Sequence, residues 1–93
     1  MPFAAVTYVR LEGRDPAEAQ KLLSEVLVPR MKALPGFRAA RFLRALDGTT
    51  GVGAVIFDTE ANARAGLDGM TAARPPEAPP VERTELYEVV LEV

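Results

Sequence analysis

The side chains able to do chemistry are few in this chain, and none is a histidine or a cysteine. Asn62 is the first candidate, because an amide near a helix start can orient a substrate oxygen or stabilise a developing enolate. Arg41 offers a planar guanidinium suited to an oxyanion or a phenolate. Tyr87 and Tyr8 carry phenols on apolar bodies and can hydrogen-bond a ligand. Phe57 and Met70 are candidates for an apolar substrate-binding wall. Each has a plainer reading: a helix-start amide for Asn62, an edge ion pair for Arg41, and core packing for the aromatics and Met70.

The missing residue types exclude whole classes of reaction. Without cysteine there is no disulfide, thiolate nucleophile or zinc–thiolate site. Without histidine the side chain best suited to neutral acid–base work is gone, and so is the usual haem and transition-metal ligand. A triad hydrolase is therefore not expected, and neither is a metal or other cofactor. A net charge of −2 with no sustained basic stripe argues against nucleic acid as partner.

With 93 residues, 48% hydrophobic and 26% charged, the chain reads as one soluble domain over residues 1–93. Its apolar runs are too short for a membrane span, and Met1-Pro2-Phe3-Ala4 lacks the features of a signal peptide, so a cytoplasmic protein is expected.

The elements that must position the candidates follow from local pattern. Phe3 to Glu12 reads as a strand with Ala5, Thr7, Val9 and Leu11 on the core face and Val6, Tyr8, Arg10 and Glu12 on the other. Asp15-Pro16-Ala17-Glu18 starts a helix by capping, and Ala19, Leu22, Leu23, Val26, Leu27, Met31 and Leu34 form its apolar stripe. Pro29 must kink or split that helix, and Pro35-Gly36 ends it.

Arg38 to Asp47 and Val52 to Asp58 read as strands joined by Gly48-Thr49-Thr50-Gly51, with glycines supplying positive φ. Thr59 or Asp58 caps a second helix running to about Met70, weakened by Gly66 and Gly69. Thr71 to Pro80 reads as a proline-rich loop: a connector, a flap or a ligand for another protein. Thr84 to Val93 reads as the last strand.

The order is βαββαβ, so the expected fold is α+β and ferredoxin-like: a four-stranded antiparallel sheet with helices on one face. Such a sheet leaves its other face bare, so a second copy is the expected partner. The second and last strands should be edges, one carrying Arg38, Arg41 and Arg44 and the other Glu82, Glu85, Glu88 and Glu92. Opposite charge on the two edges suggests pairing across a symmetric homodimer, or else ordinary solvated faces.

Val28-Pro29, then Leu34-Pro35-Gly36-Phe37, a strand with Arg41 and a glycine turn, and Val55-Ile56-Phe57-Asp58-Thr59-Glu60 leading into a helix resemble the dimeric α+β barrel superfamily. Within it the chain is similar to the antibiotic biosynthesis monooxygenase (ABM) domain proteins. The resemblance implies a homodimer with facing sheets, a pocket between sheet and helices in each protomer, and a cofactor-independent monooxygenase-like protein acting on a small aromatic or polyketide-like molecule. The lack of His, Cys and any clear general base fits the alternative, a non-catalytic homodimeric small-molecule-binding or structural module. Phe57 stands where ABM-domain chains often carry Trp, and Gly66 to Met70 contain none of the His residues many of them have. The haem-degrading branch is thereby excluded by expectation.

Overall fold

The computed structural model describes residues 1–72 and 74–93. Strands β1 (Phe3–Arg10), β2 (Phe37–Arg44), β3 (Thr50–Phe57) and β4 (Val81–Glu88) form one antiparallel sheet in the order β2-β3-β1-β4. The second and last strands are thus the edges, as the element order predicts. Helices α1 (Pro16–Leu22), α2 (Val28–Lys32) and α3 (Glu60–Ala72) complete the βαββαβ unit.

Asp15 starts α1 as expected: its Oδ1 accepts from the Ala17 N–H at 2.9 Å, and Pro16 takes the first helical position. Pro29 does not simply kink the chain. Leu23–Leu27, immediately before α2, winds as a π-helix whose Val28 N–H donates to the Leu23 carbonyl five residues back. The wider turn is the local answer to a ring that would strike the carbonyl of Glu25 and to an N–H that proline lacks.

Strand boundaries differ from the sequence expectation: β1 stops at Arg10, short of Glu12, and the larger shifts are at the β2–β3 reversal and in β4. The β2–β3 reversal runs from Ala45 to Thr49, with Gly48 alone at positive φ (78°) and Asp47 Oδ1 accepting from both the backbone N–H (3.0 Å) and hydroxyl (2.7 Å) of Thr49. Those two bonds hold the Asp47 carboxyl below its usual pKa. Gly51 belongs to β3, where an added Cβ would lie 2.9 Å from a Val9 methyl. β4 begins at Val81 and ends at Glu88, not at Val93, so Val90, Leu91 and Val93 lie exposed beyond the strand.

The segment expected as the loop Thr71 to Pro80 starts later, since α3 continues to Ala72. It is also anchored. Arg74 donates from Nε (3.1 Å) and Nη2 (2.7 Å) to the Pro79 carbonyl, Arg14 donates to the Glu77 carbonyl at 2.8 Å, and Ala78 is buried.

The core lies between α3 and the sheet. Ala5, Val55, Phe57, Ala63 and Met31 are buried together, and Leu86, Ala40 and Leu67 pack around them. Helix α3 packs on β1, β3 and β4, whereas α1 makes no comparable contact with any strand and buries none of its residues. That asymmetry leaves room over one half of the sheet.

Candidate functional site

The room is a cavity of about 530 Å³ between the α1–π-helix–α2 arm and the helix-side face of the sheet. Leu22, Leu23 and Leu27 roof it, Val9, Gly51, Gly53 and Val55 floor it, and Met70 and Pro79 close one side. The glycines matter here, because a side chain at either position would stand on the floor. An apolar gap of this size forfeits the dispersion contacts a filled interior would have, and its volume falls inside the roughly 300–1,000 Å³ of small-molecule sites.

Of the residues singled out from the sequence, Met70 lines this cavity. Phe57, expected as a wall, is instead a fully buried core ring against Gly66 of α3. Tyr8 lies on the opposite face of the sheet, with the Arg83 guanidinium 4.1 Å above its ring. Tyr87 shares that face and donates its hydroxyl to Glu85. Strand alternation explains both: Tyr8 is out of phase with Thr7 and Val9, and Tyr87 with the core residue Leu86.

The Glu85 carboxylate, seconded by burial and by the Tyr8 hydroxyl, pushes the Tyr87 phenol up to about 12. A folded pKa above the unfolded value near 10 makes the neutral phenol's contribution to stability fully present below about pH 10 and lost as pH rises through about 12. Spectrophotometric titration of the phenolate band should therefore show one tyrosine ionising about two units late, and Glu85→Gln should bring it back toward 10. An unchanged titration in the Glu85→Gln protein would show that the carboxylate is not the cause.

Asn62 lies at the entry to α3 rather than in the cavity. Its Nδ2 donates to Asp58 Oδ1 at 2.8 Å and its backbone N–H donates to Thr59 Oγ1 at 3.1 Å, so Thr59 caps the helix and Asn62 braces it. The Asp58 and Asn62 side chains crowd Gly36, whose φ is 76° and whose added Cβ would overlap Asp58 Oδ1 and lie 2.5 Å from Asn62 Nδ2. Gly36→Ala should accordingly cost about 2 kcal/mol or more, from left-handed strain plus overlap, measurable as a lowered urea midpoint. Arg41 is on edge strand β2, where Nη1 donates to the Ala40 carbonyl at 2.9 Å.

The edge charges are largely used within the chain: Arg38 pairs with Glu92 at 3.9 Å, Arg10 with Glu82 at 3.2 Å and Arg83 with Glu85 at 3.3 Å. The polar groups of the cavity itself were not singled out from the sequence. Thr7, Gln20, Thr71, Arg30, Arg44 and Arg74 line it. They come from six segments, so no spacing along the chain announces them. Among the described residues no cluster of His, Cys, Asp and Glu is arranged to hold a metal ion, and no helix is long and apolar enough to cross a membrane.

The four-stranded antiparallel sheet with its helices is the α+β, ferredoxin-like fold of the antibiotic biosynthesis monooxygenase structures. The chain is similar over 99% of its length, and 96% of the other's, to an asparagine-to-alanine variant of SnoaB, a cofactor-independent oxygenase from Streptomyces nogalater, at TM-score 0.73 and 19% identity. It is similar over 98% of its length, and 89% of the other's, to the ActVA-Orf6 monooxygenase of Streptomyces coelicolor in complex with nanaomycin D, at TM-score 0.67 and 21% identity. A heme-degrading protein from Mycobacterium tuberculosis shares the fold at TM-score 0.60 and 21% identity, covering 100% of this chain and 99% of that one. No family model and no curated protein matches the sequence. One fold carrying different activities means that topology alone does not decide function.

Proposed function

We propose that this protein binds a small aromatic or polyketide-like molecule in the cavity under α1 and acts on it as a cofactor-independent, monooxygenase-like enzyme. The observation that carries this reading is the cavity itself: about 530 Å³, roofed by leucines and floored by valines and glycines, in the fold that the two Streptomyces oxygenases share. Chemistry of this kind asks little of the protein. A substrate methylene acidified by flanking aromatic and carbonyl groups gives up a proton, and its carbanion reacts with dioxygen. One oxygen atom becomes a ketone, and the other leaves as water with the two methylene hydrogens. An apolar cavity favours the neutral dioxygen, and Thr7 and Gln20 on its lining offer hydrogen-bond donors for the substrate's oxygens.

A non-catalytic binding module is the second reading. It is favoured by the absence of any carboxylate among the cavity's described lining residues to take the proton. Oxygen uptake separates the two. With anthrone as probe, the enzyme reading expects consumption at least about tenfold above the uncatalysed rate, unaffected by chelators, with one ketone formed per dioxygen. Tight binding of anthrone with no acceleration would leave the binding module.

The assembly belongs to the same proposal. Val6, Ala54, Ile56 and Tyr87 share the sheet face away from the helices, and Leu43 is exposed beside them. We infer that a second copy covers this face, sheet against sheet.

A further inference from the structure

The chain holds 13 acidic residues against 11 basic ones, yet among the described residues its cavity is lined by three arginines and no carboxylate. We propose that the cavity selects an anionic ligand, an apolar ring system bearing one carboxylate, sulfonate or phenolate oxyanion, with Arg74 as the principal counter-charge and Arg44 as a second cation of the lining. The inference rests on the small-molecule reading of the cavity given above and narrows it to a charge class.

Arg74 is the strongest part of the argument. Its guanidinium is half withdrawn from water, and its Nε and Nη2 both donate to one acceptor, the neutral Pro79 carbonyl. Among the described residues no carboxylate pairs with Arg74 or with Arg44, whose Nη2 reaches only the Pro16 carbonyl at 3.4 Å. The charged group facing Arg74 is instead another cation, Arg14, and burial together with that repulsion lowers the Arg74 pKa. A cation taken partly out of water is costly unless an opposite charge or a full set of acceptors meets it. Among the described residues one carbonyl meets each guanidinium, and Arg44 is exposed to water whereas Arg74 is not fully so, which leaves Arg74 N–H donors for an oxyanion arriving in the cavity, where planar, paired N–H donors fit best. The loop from Arg74 to Pro80 thereby has a purpose beyond connection: the carbonyl of Pro79 aims the guanidinium.

Two dyes of the same shape test this on the intact protein. Anilinonaphthalene sulfonate carries the oxyanion, and phenylnaphthylamine is the same ring system without it. Both brighten on entering an apolar site. The more hydrophobic neutral dye should bind tighter to a cavity indifferent to charge. The proposal expects the sulfonate to bind at least as tightly at low salt, and to lose affinity as salt rises. Arg74→Gln should weaken the sulfonate by about tenfold or more while leaving the neutral dye within about a factor of two. Arg74→Lys should retain part of the preference. Because Arg74 also anchors its loop, Arg44→Gln, outside that loop, is the second variant, with the same direction expected. Tighter binding of the neutral dye, indifferent to salt and to both substitutions, would overturn the anion preference and leave the cavity reading standing. Binding of neither dye would overturn both.

Discussion

Gly66→Ala is expected to destabilise the protein by about 2 kcal/mol, although on an exposed helix the same change would stabilise it by about 1 kcal/mol. The reason is contact. Gly66 is buried at the crossing of α3 over β3, and an added methyl would fall on the ring of Phe57, which is fully buried, with Cε1 at 2.8 Å. Phe57 has no room to retreat, being packed among Ala5, Val55, Ala63 and Met31, so α3 itself must lift from the sheet. Gly69 supplies the internal control, one turn further along the same helix, where an added Cβ would meet nothing within 4 Å. Gly69→Ala should raise the urea midpoint while Gly66→Ala lowers it. Phe57→Leu combined with Gly66→Ala should recover part of the loss, since the smaller side chain vacates the overlapped space. Two alanine substitutions that both stabilise would show that α3 does not bear on Phe57 as described.

This pair also shows what the sequence discloses and what it withholds. The glycines of α3 read from sequence only as helix-weakening residues, because propensity is local and the approach of Phe57 is not. Element order, the Asp15 cap and the choice of edge strands were legible, since each follows from patterns within a few residues or from the short connections that order imposes. The π-helical turn before Pro29 was legible as a disturbance but not as a form. The start of β4 at Val81 was hidden by Pro79-Pro80: prolines read as loop, yet the Pro80 carbonyl accepts from the Arg10 N–H at 2.9 Å and leads the chain onto the sheet edge. The cavity was least legible. Its polar groups converge from β1, α1, α2, β2, the end of α3 and the loop after it, and the residues with the most chemical promise by type, Asn62 and the tyrosines, lie at a helix cap and on the far face of the sheet.

That far face gives the second large effect. If a second copy covers it, Ile56→Arg should raise the dimer dissociation constant at least about a hundredfold, because a two-fold axis places the new charge in the interface twice and each would be withdrawn from water. Folding of the single chain should survive. Ile56 is half-buried and flanked across the strands by Ala4 and Ala39, which leave space for a long side chain to run outward and keep its head group wet. Sedimentation equilibrium reads the association and circular dichroism the fold. The same experiment separates a face-to-face dimer from one joined along its edges. Arg38, Glu82, Glu85 and Glu92 are engaged within the chain, so an edge dimer would lean on Arg41, Arg44 and Glu88. Edge pairing requires Arg41→Glu to weaken association and Glu88→Arg to restore it, with Ile56→Arg indifferent. Facing sheets require Ile56→Arg to weaken association and Glu88→Arg to give no rescue of Arg41→Glu, since Arg41, opposite Ala54, shares the covered face while Glu88, opposite Phe3, does not, and a charge forced into an apolar contact contributes a great deal of the wrong sign. Sedimentation of the unaltered protein at the single-chain mass would remove the second copy from the account and leave Tyr87, Leu43 and the apolar tail facing water.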